Sequence, residues 1–470
     1  MHPVCPRSFG MKDFLHRLRP LAAAPLILCA LSAQATDLMQ AWQAALQHDP
    51  QAAVADAARA AGETRRAQAA SLWRPTVVLS GSAGRMNADT ATTGAQFSAP
   101  SFGQSNGVTF STSIDNGAST SWALSLRQPL YNLERSAQRQ QLNIGADAAD
   151  LQWQSAHQDL MLNTTQRYFD VVLAERKLAL LRRQQTAVDR ALTEAKDRYA
   201  LGDVPITDTH EASARARALQ AQVLSAESEL QLARTLLADA TGLPPDSLQV
   251  RSPMADTAPK NLQPLDHWLA LVQAGNPQLR MQQANAESAR EEIRKHSAAS
   301  SLTVDLVAKA GRDRLSGNGD FGNASNTQRQ QMIGVQMNIP LYTGGYRSAR
   351  QEEAVKLEDK ALAEVEQTRL QLNHQTRAAW LGLQTGQARL AALSEAAVAS
   401  RARLDATRLG RQVGDRTTLD LLNAENDASS ADLAVVQANI ELIQNRLRLQ
   451  ALAGQLDESQ LLTVNALLQP

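Results

Sequence analysis

The sequence predicts a mainly α chain with a minor β component: long coiled-coil helices that build a tube, continued by a membrane β-barrel shared between protomers, four strands from each. Three observations predict it. Helical periodicity runs unbroken for about 67 residues, roughly 100 Å at 1.5 Å per residue. Four stretches switch to a period of two. The whole order of elements also occurs twice. Asp49-Pro50-Gln51 returns as Asn276-Pro277-Gln278 (277 − 50 = 227), and Gln128-Pro129-Leu130-Tyr131 as Ile339-Pro340-Leu341-Tyr342 (340 − 129 = 211). Gly202-Asp203 with Asp208 returns as Gly414-Asp415 with Asp420 (414 − 202 = 212). A unit that cannot close its core alone must stack on copies of itself. The expected organisation is an amino-terminal segment 1–35, a first repeat 36–250 and a second repeat 251–470.

In the first segment Lys12, Arg17 and Arg19 precede the apolar run Leu21 to Leu31, and Ala33-Gln34-Ala35 makes a small-residue cleavage site. The run is far shorter than the roughly 20 residues a bilayer needs, so it reads as a secretory signal peptide. Met11 is an alternative start. Cys5 and Cys29 both fall here, so no thiol chemistry or disulfide is expected afterwards. Cys29 as a lipid anchor is disfavoured, because Leu26-Ile27-Leu28 puts bulky residues where such processing wants small ones. Without this segment the chain keeps 43 basic against 46 acidic residues, since it loses Arg7, Lys12, Arg17, Arg19 and Asp13. That balance carries no basic signature of nucleic-acid binding.

Each repeat starts with a shorter helical stretch, about Leu38 to Leu72 and Leu265 to Ala299. Strand pairs follow at 75–87 with 119–131, and at 302–312 with 330–341. Val77, Leu79 and Ala83, then Trp122, Leu124 and Leu126, lie on apolar faces, as do Leu302, Val304, Leu306 and Ala308, then Ile333, Val335, Met337 and Ile339. Polar residues mostly fill the opposite faces, the dyad signature of an outer-membrane barrel. Asn87 to Ala118 and Leu315 to Gln328, rich in Gly, Ser, Thr and Asn, read as exposed loops. Trp73, Tyr131, Tyr342 and Tyr346 fall at the helix-side strand ends. A girdle at the membrane interface and ordinary junction packing both account for them.

The long helices, Leu133 to Tyr199 and Tyr346 to Arg411, come next. Leu142, Ala146, Ala149, Trp153, Ala156 and Leu160 step by four and three, a seam for a partner helix. Shorter helices close each repeat, Ile206 to Ala240 and Thr418 to Ala453. The last carries Leu419, Leu422, Asn426, Ser429, Leu433, Val436, Ile440, Ile443 and Leu447 in register. Its two early polar positions either set register or leave that end free to loosen.

Four strands cannot close a barrel, and open edges in lipid leave backbone groups unpaired at several kcal/mol each, so copies must share one sheet. No enzyme is expected, and no cofactor or metal. The histidines after the signal show no zinc spacing, no Walker A sequence occurs, and Gly103 to Gly107 spells G-x-S-x-G inside a polar stretch without a nucleophile elbow's context. A periplasmic coiled-coil scaffold would not need the strands, and a passive porin would not need the helices.

With repeat order, the Pro-Leu-Tyr strand exits and both Gly-Asp turns on the page, the chain resembles a TolC-type outer-membrane channel protein over about residues 36 to 465. The resemblance implies a homotrimer with a 12-strand barrel in outer-membrane lipid and a 12-helix periplasmic tube. It also implies two partners, a periplasmic adaptor and an inner-membrane ABC, RND or MFS transporter. By position Asp420 matches the family's pore-lining acid, and Asn423 stands where a second acid is common. Arg416 matches the arginine paired with a Thr-Asp couple on the neighbouring turn, here Thr207 and Asp208. Arg411 replaces a tyrosine of that closing network. Asp208 and Asp420 also suit helix caps or first-turn acids.

Overall fold

The computed structural model describes residues 37–101, 103–245, 250–253, 262–299, 301–320 and 322–468. The expected signal peptide lies outside them. Helix α1 (Leu38–His48) opens on a capping box, Asp37 with Gln40, and α2 (Pro50–Ser71) restarts at Asp49-Pro50. Strands β1 (Thr76–Ala99) and β2 (Gly103–Tyr131) follow, then α3 (Leu133–Ala200) and α4 (Ile206–Thr241). The second repeat returns the same order as α5 (Leu265–Gly275), α6 (Pro277–Ala298), β3 (Thr303–Gly319), β4 (Gly322–Asn338), α7 (Tyr346–Gln412) and α8 (Thr418–Leu452). A short α9 (Glu458–Asn465), capped by Asp457, follows.

Proline at the first helical position splits each expected single helix in two, because the residue before it is held extended. Asp49 and Asn276 are both extended, and each caps the next helix with its side chain. The repeat also survives in packing. A Cβ on Gly242 would meet the His48 ring at 2.7 Å, and one on Gly454 would meet the Gly275 carbonyl oxygen at 2.2 Å, so each repeat's closing helix ends against its opening one.

The strands form one antiparallel sheet in the order β1-β2-β3-β4. They extend well beyond the expected 75–87, 119–131, 302–312 and 330–341. Most of the described residues in the stretches read as loops are strand: Ala88 pairs with Ile114, Thr92 with Phe110, and Arg314 with Thr327. Their Gly, Ser and Asn content resembles loop composition, but backbone pairing outweighs a weak strand propensity. With polar residues on both faces register is loosely held, and β1 and β2 slip at Met86/Ala88, Thr92/Ala95 and Ala95/Phe97. At the other end β4 stops at Asn338 rather than 341, where Pro340 has no N–H to donate. Pro75 precedes β1 where Leu302 precedes β3, yet the strand starts are alike, at Thr76 and Thr303.

Helices α2 and α4 lie along successive parts of α3, and α6 and α8 along α7. The main core sits where the middle of α3 meets α1, α4, α8 and α9. There Trp42, Leu160, Tyr168, Phe169, Leu237, Leu447 and Leu461 are buried. Charges on the helix faces pair across seams: Arg66 with Asp147 and Asp150, Arg182 with Glu227, Arg401 with Asp432. These are solvated pairs, each worth about 1 kcal/mol or less.

Candidate functional site

The far end of the long helices holds the candidate gate, and both turns there are built alike. After α3 ends at Ala200, Gly202 takes φ +80°, while Asp203 N–H donates to the Arg198 carbonyl at 2.9 Å. After α7, Gly414 takes φ +82° and Asp415 N–H donates to the Gly410 carbonyl at 2.8 Å. Glycine accepts this left-handed conformation without a Cβ penalty, so the chain reverses tightly enough for α4 and α8 to run back along their partners.

Asp420 sits in the first turn of α8 as half of a capping box. Its carboxylate accepts from Thr417 N–H at 3.0 Å and from Thr417 Oγ1 at 2.9 Å, while Asp420 N–H donates to Thr417 Oγ1 at 3.1 Å. The Thr417 backbone bond leads the causes that hold its pKa below the usual carboxylate value. The cap reading is therefore realised, and it leaves Asp420 partly exposed and ionised. Asn423, one turn on, accepts from Arg215 Nη2 of α4 at 2.6 Å, tying α4 to α8.

Thr207 and Asp208, in the first turn of α4, are both exposed. Among the described residues the one ion pair of Arg416 is with its neighbour Asp415, at 4.0 Å, and its charge also reaches the Asp420 carboxylate. The chain's own fold does not bring Arg416 to Thr207 and Asp208. Arg411 is differently placed: its Nη2 donates to Glu194 Oε2 of α3, joining the two helical hairpins near their tips. Just above, Gln184 Nε2 donates to Asn426 Oδ1 at 3.1 Å beside a cavity of about 170 Å³ lined by Val188, Arg215, Leu422 and Glu425. Of the two polar register positions of α8, Asn426 thus lies beside open packing near the tip.

Glu194 and Arg215 escaped the sequence reading. Neither belongs to a motif, and their partners lie more than 200 residues away. At the opposite end Trp73 precedes β1, Tyr131 ends β2, Tyr342 follows β4 and Tyr346 opens α7, so the four aromatics gather at the helix–sheet junction. Tyr342 is 87% and Tyr346 67% exposed. Gly103 to Gly107 opens β2 and is no strand-to-helix elbow.

A sheet apolar on one exposed face, joined to helical hairpins several times longer than a bilayer core is thick, defines a subunit of an outer-membrane duct. The outer membrane efflux protein family model matches residues 41–243 and 268–455. The chain belongs to that family, as a TolC-type protein of the cell outer membrane. It is 30% identical over 471 residues to the proteases secretion protein PrtF of Dickeya chrysanthemi, covering 97% of this chain and 96% of that one. It is 27% identical to the outer membrane protein TolC of Escherichia coli (strain K12), over 77% of this chain and 74% of the relative. Among solved structures, the CmeC outer membrane channel of Campylobacter jejuni superposes with a TM-score of 0.69 at 15% identity, over 90% of this chain and 86% of that one.

Proposed function

We propose that three copies of this chain assemble into one exit duct, a 12-strand barrel in the outer membrane continued by a 12-helix tube through the periplasm. The observation that carries this reading is the open sheet: β1 and β4 are both edges, and four strands cannot close. Exposed Val77, Leu79, Ile333, Val335 and Met337 on one face suit lipid. With no nucleotide site in the sequence, the energy comes from an inner-membrane ABC, RND or MFS transporter, joined through a periplasmic adaptor. Likeness to a protease secretion protein along nearly the whole chain favours protein cargo.

At the periplasmic tip Asp420 from three copies forms a carboxylate ring, with Asn423 in place of a second ring. Arg416 reaches Thr207 and Asp208 of the neighbouring copy to hold the tip closed, and Arg411 with Glu194 latches each protomer's own hairpins together. Trp73, Tyr131, Tyr342 and Tyr346 form the periplasmic-side aromatic girdle. The test is mass and conductance of detergent-extracted protein. A particle of three protomers that conducts in planar bilayers supports the duct, and a monomer without conductance rejects it.

A further inference from the structure

Register across the sheet separates its two faces. On the face that exposes Val77, Leu79, Leu124, Ile333 and Val335, the apolar positions give way, past Gln331 on β4, to arginine. Trp122 stands opposite Arg312, and Arg312 stands opposite Arg329. Arg314 lies two residues further along β3, and Arg85 two rows beyond Arg312, opposite Ala118. This face therefore presents four guanidinium groups. Between Val77 and Arg85, Ala118 and Leu126, Val304 and Ser316, and Ser325 and Met337 it has no Asp or Glu, since Asp305 and Asp313 fall on the other face.

Such an arrangement is unfavourable in isolation. Like charges directly opposite on neighbouring strands destabilise a sheet. Arg312 Nε is shut off from solvent without a hydrogen-bond partner among the described residues. The sheet's one ion pair among them, Arg127 with Asp305, lies on the opposite face. The missing partner is thus an anion from outside the chain.

Its depth is fixed by the neighbours. Tyr131 is paired with Val304 and Trp122 with Arg312, so these exposed aromatics lie eight residues apart along β3, about 27 Å of strand at 3.4 Å per residue. At the tilt of about 35–45° that barrel strands take, this is roughly 20 Å of depth, close to the apolar band of about 25 Å in outer-membrane barrels, whose rims carry aromatics. Arg312, Arg314 and Arg329 lie at and just beyond the rim far from the helices, where headgroups sit.

We propose that this patch is a binding site for a phosphorylated glycolipid headgroup of the outer leaflet, its phosphates held by Arg312, Arg314 and Arg329 and its acyl chains lying on the apolar band below. Guanidinium forks match phosphate oxygens in bidentate pairs, and bound phosphate removes the repulsion between Arg312 and Arg329. The site rests on the membrane orientation given under Proposed function.

The test is native mass spectrometry of the full-length assembled protein titrated with diphosphoryl lipid A, against dephosphorylated lipid A and against inorganic phosphate as competitor. Wild type should bind the diphosphoryl form, and the triple variant R312Q/R314Q/R329Q about a hundredfold more weakly, at roughly fivefold per lost charge. A triple lysine variant, which keeps the charge without the forks, should bind more weakly than wild type but more tightly than the glutamine variant. Equal binding of dephosphorylated lipid, variant binding matching wild type, or displacement by millimolar phosphate alone would each overturn the site. If the triple variant does not fold, the single variants R314Q and R329Q decide the matter, each losing about fivefold or refuting it. Planar-bilayer conductance separates the two readings: channels that conduct yet bind no lipid remove this site alone, whereas wild type that never inserts removes the duct.

Discussion

At the scale of single residues the proposed gate asks two things of one carboxylate. Asp420 caps α8, and the Thr417 bonds that make the cap also favour its charged form. Because its folded pKa lies below the unfolded value of 3.8, the cap's stabilisation is complete above that value and fades as pH falls through the lowered pKa. Capping opposes the mutual repulsion that a ring of three would impose. The channel should therefore keep one cation preference from pH 8 to pH 5, and Asp420→Asn should weaken it, as reversal potentials in a salt gradient would reveal. A cation preference lost already at pH 5 would mean that the ring repels more strongly than the cap holds. Arg411 with Glu194 is a half-exposed pair, worth about 1 kcal/mol or less. Glu194→Gln should shift the closed-to-open balance by up to about fivefold per protomer, seen as higher mean single-channel conductance. The local structure of the proposed gate was legible at the Gly-Asp turns and the capping pair. Glu194 and Arg215 were not, since only the folded hairpins bring them to Arg411 and Asn423.

At the scale of elements, the long helices were legible almost to the residue, because a heptad seam persists for many turns and averages out local noise. The strands were legible only in their middles. Beyond Met86 and Leu315 alternation no longer separates apolar from polar, so pairing is set by partner strands that one segment cannot reveal. Two joints test how the elements lock. Gly454 has φ +71° and abuts the Gly275 carbonyl, so Gly454→Ala should cost about 1–3 kcal/mol. The thermal transition from assembly to monomer on semi-native gels should fall accordingly. Gly202→Ala, with φ +80° but open space around it, should cost less. At the second joint His157 of α3 stacks on Trp153 at 5.0 Å and meets Trp42 of α1 edge-on at 5.1 Å, facing Asp56 of α2 and Glu458 of α9. Burial lowers its pKa, outweighing the two carboxylates. The unfolded chain then binds the extra proton first, so this contribution is whole above about pH 6.5 and is lost as pH falls towards the lowered value. His157→Gln should flatten the loss of thermal stability below pH 6.5. An unchanged slope would exclude His157 as its source.

At the scale of the whole molecule, the two halves need each other in opposite ways. The sheet needs lipid on one face and neighbours at both edges, whereas the helices have charged faces and, among the described residues, none is long and apolar enough to cross a membrane. Helix α3 has 68 residues, so its end lies about 100 Å from the sheet. A barrel alone would span little more than a bilayer's core of roughly 30 Å. Negative-stain images of detergent-extracted particles should therefore show a stalk of about 100 Å leaving one side of the micelle. Assembly should depend on the edges. A proline placed within β1 or β4 removes one N–H from a strand that must pair with the next copy, so trimers should fall while the helices, followed by circular dichroism, persist. The matched control is a proline in the polar outer part of β1 beyond Met86, which lies past the apolar band and should leave assembly nearly intact. If both prolines were equally harmless, the copies would be held by their helices alone, and the shared barrel would have to be abandoned.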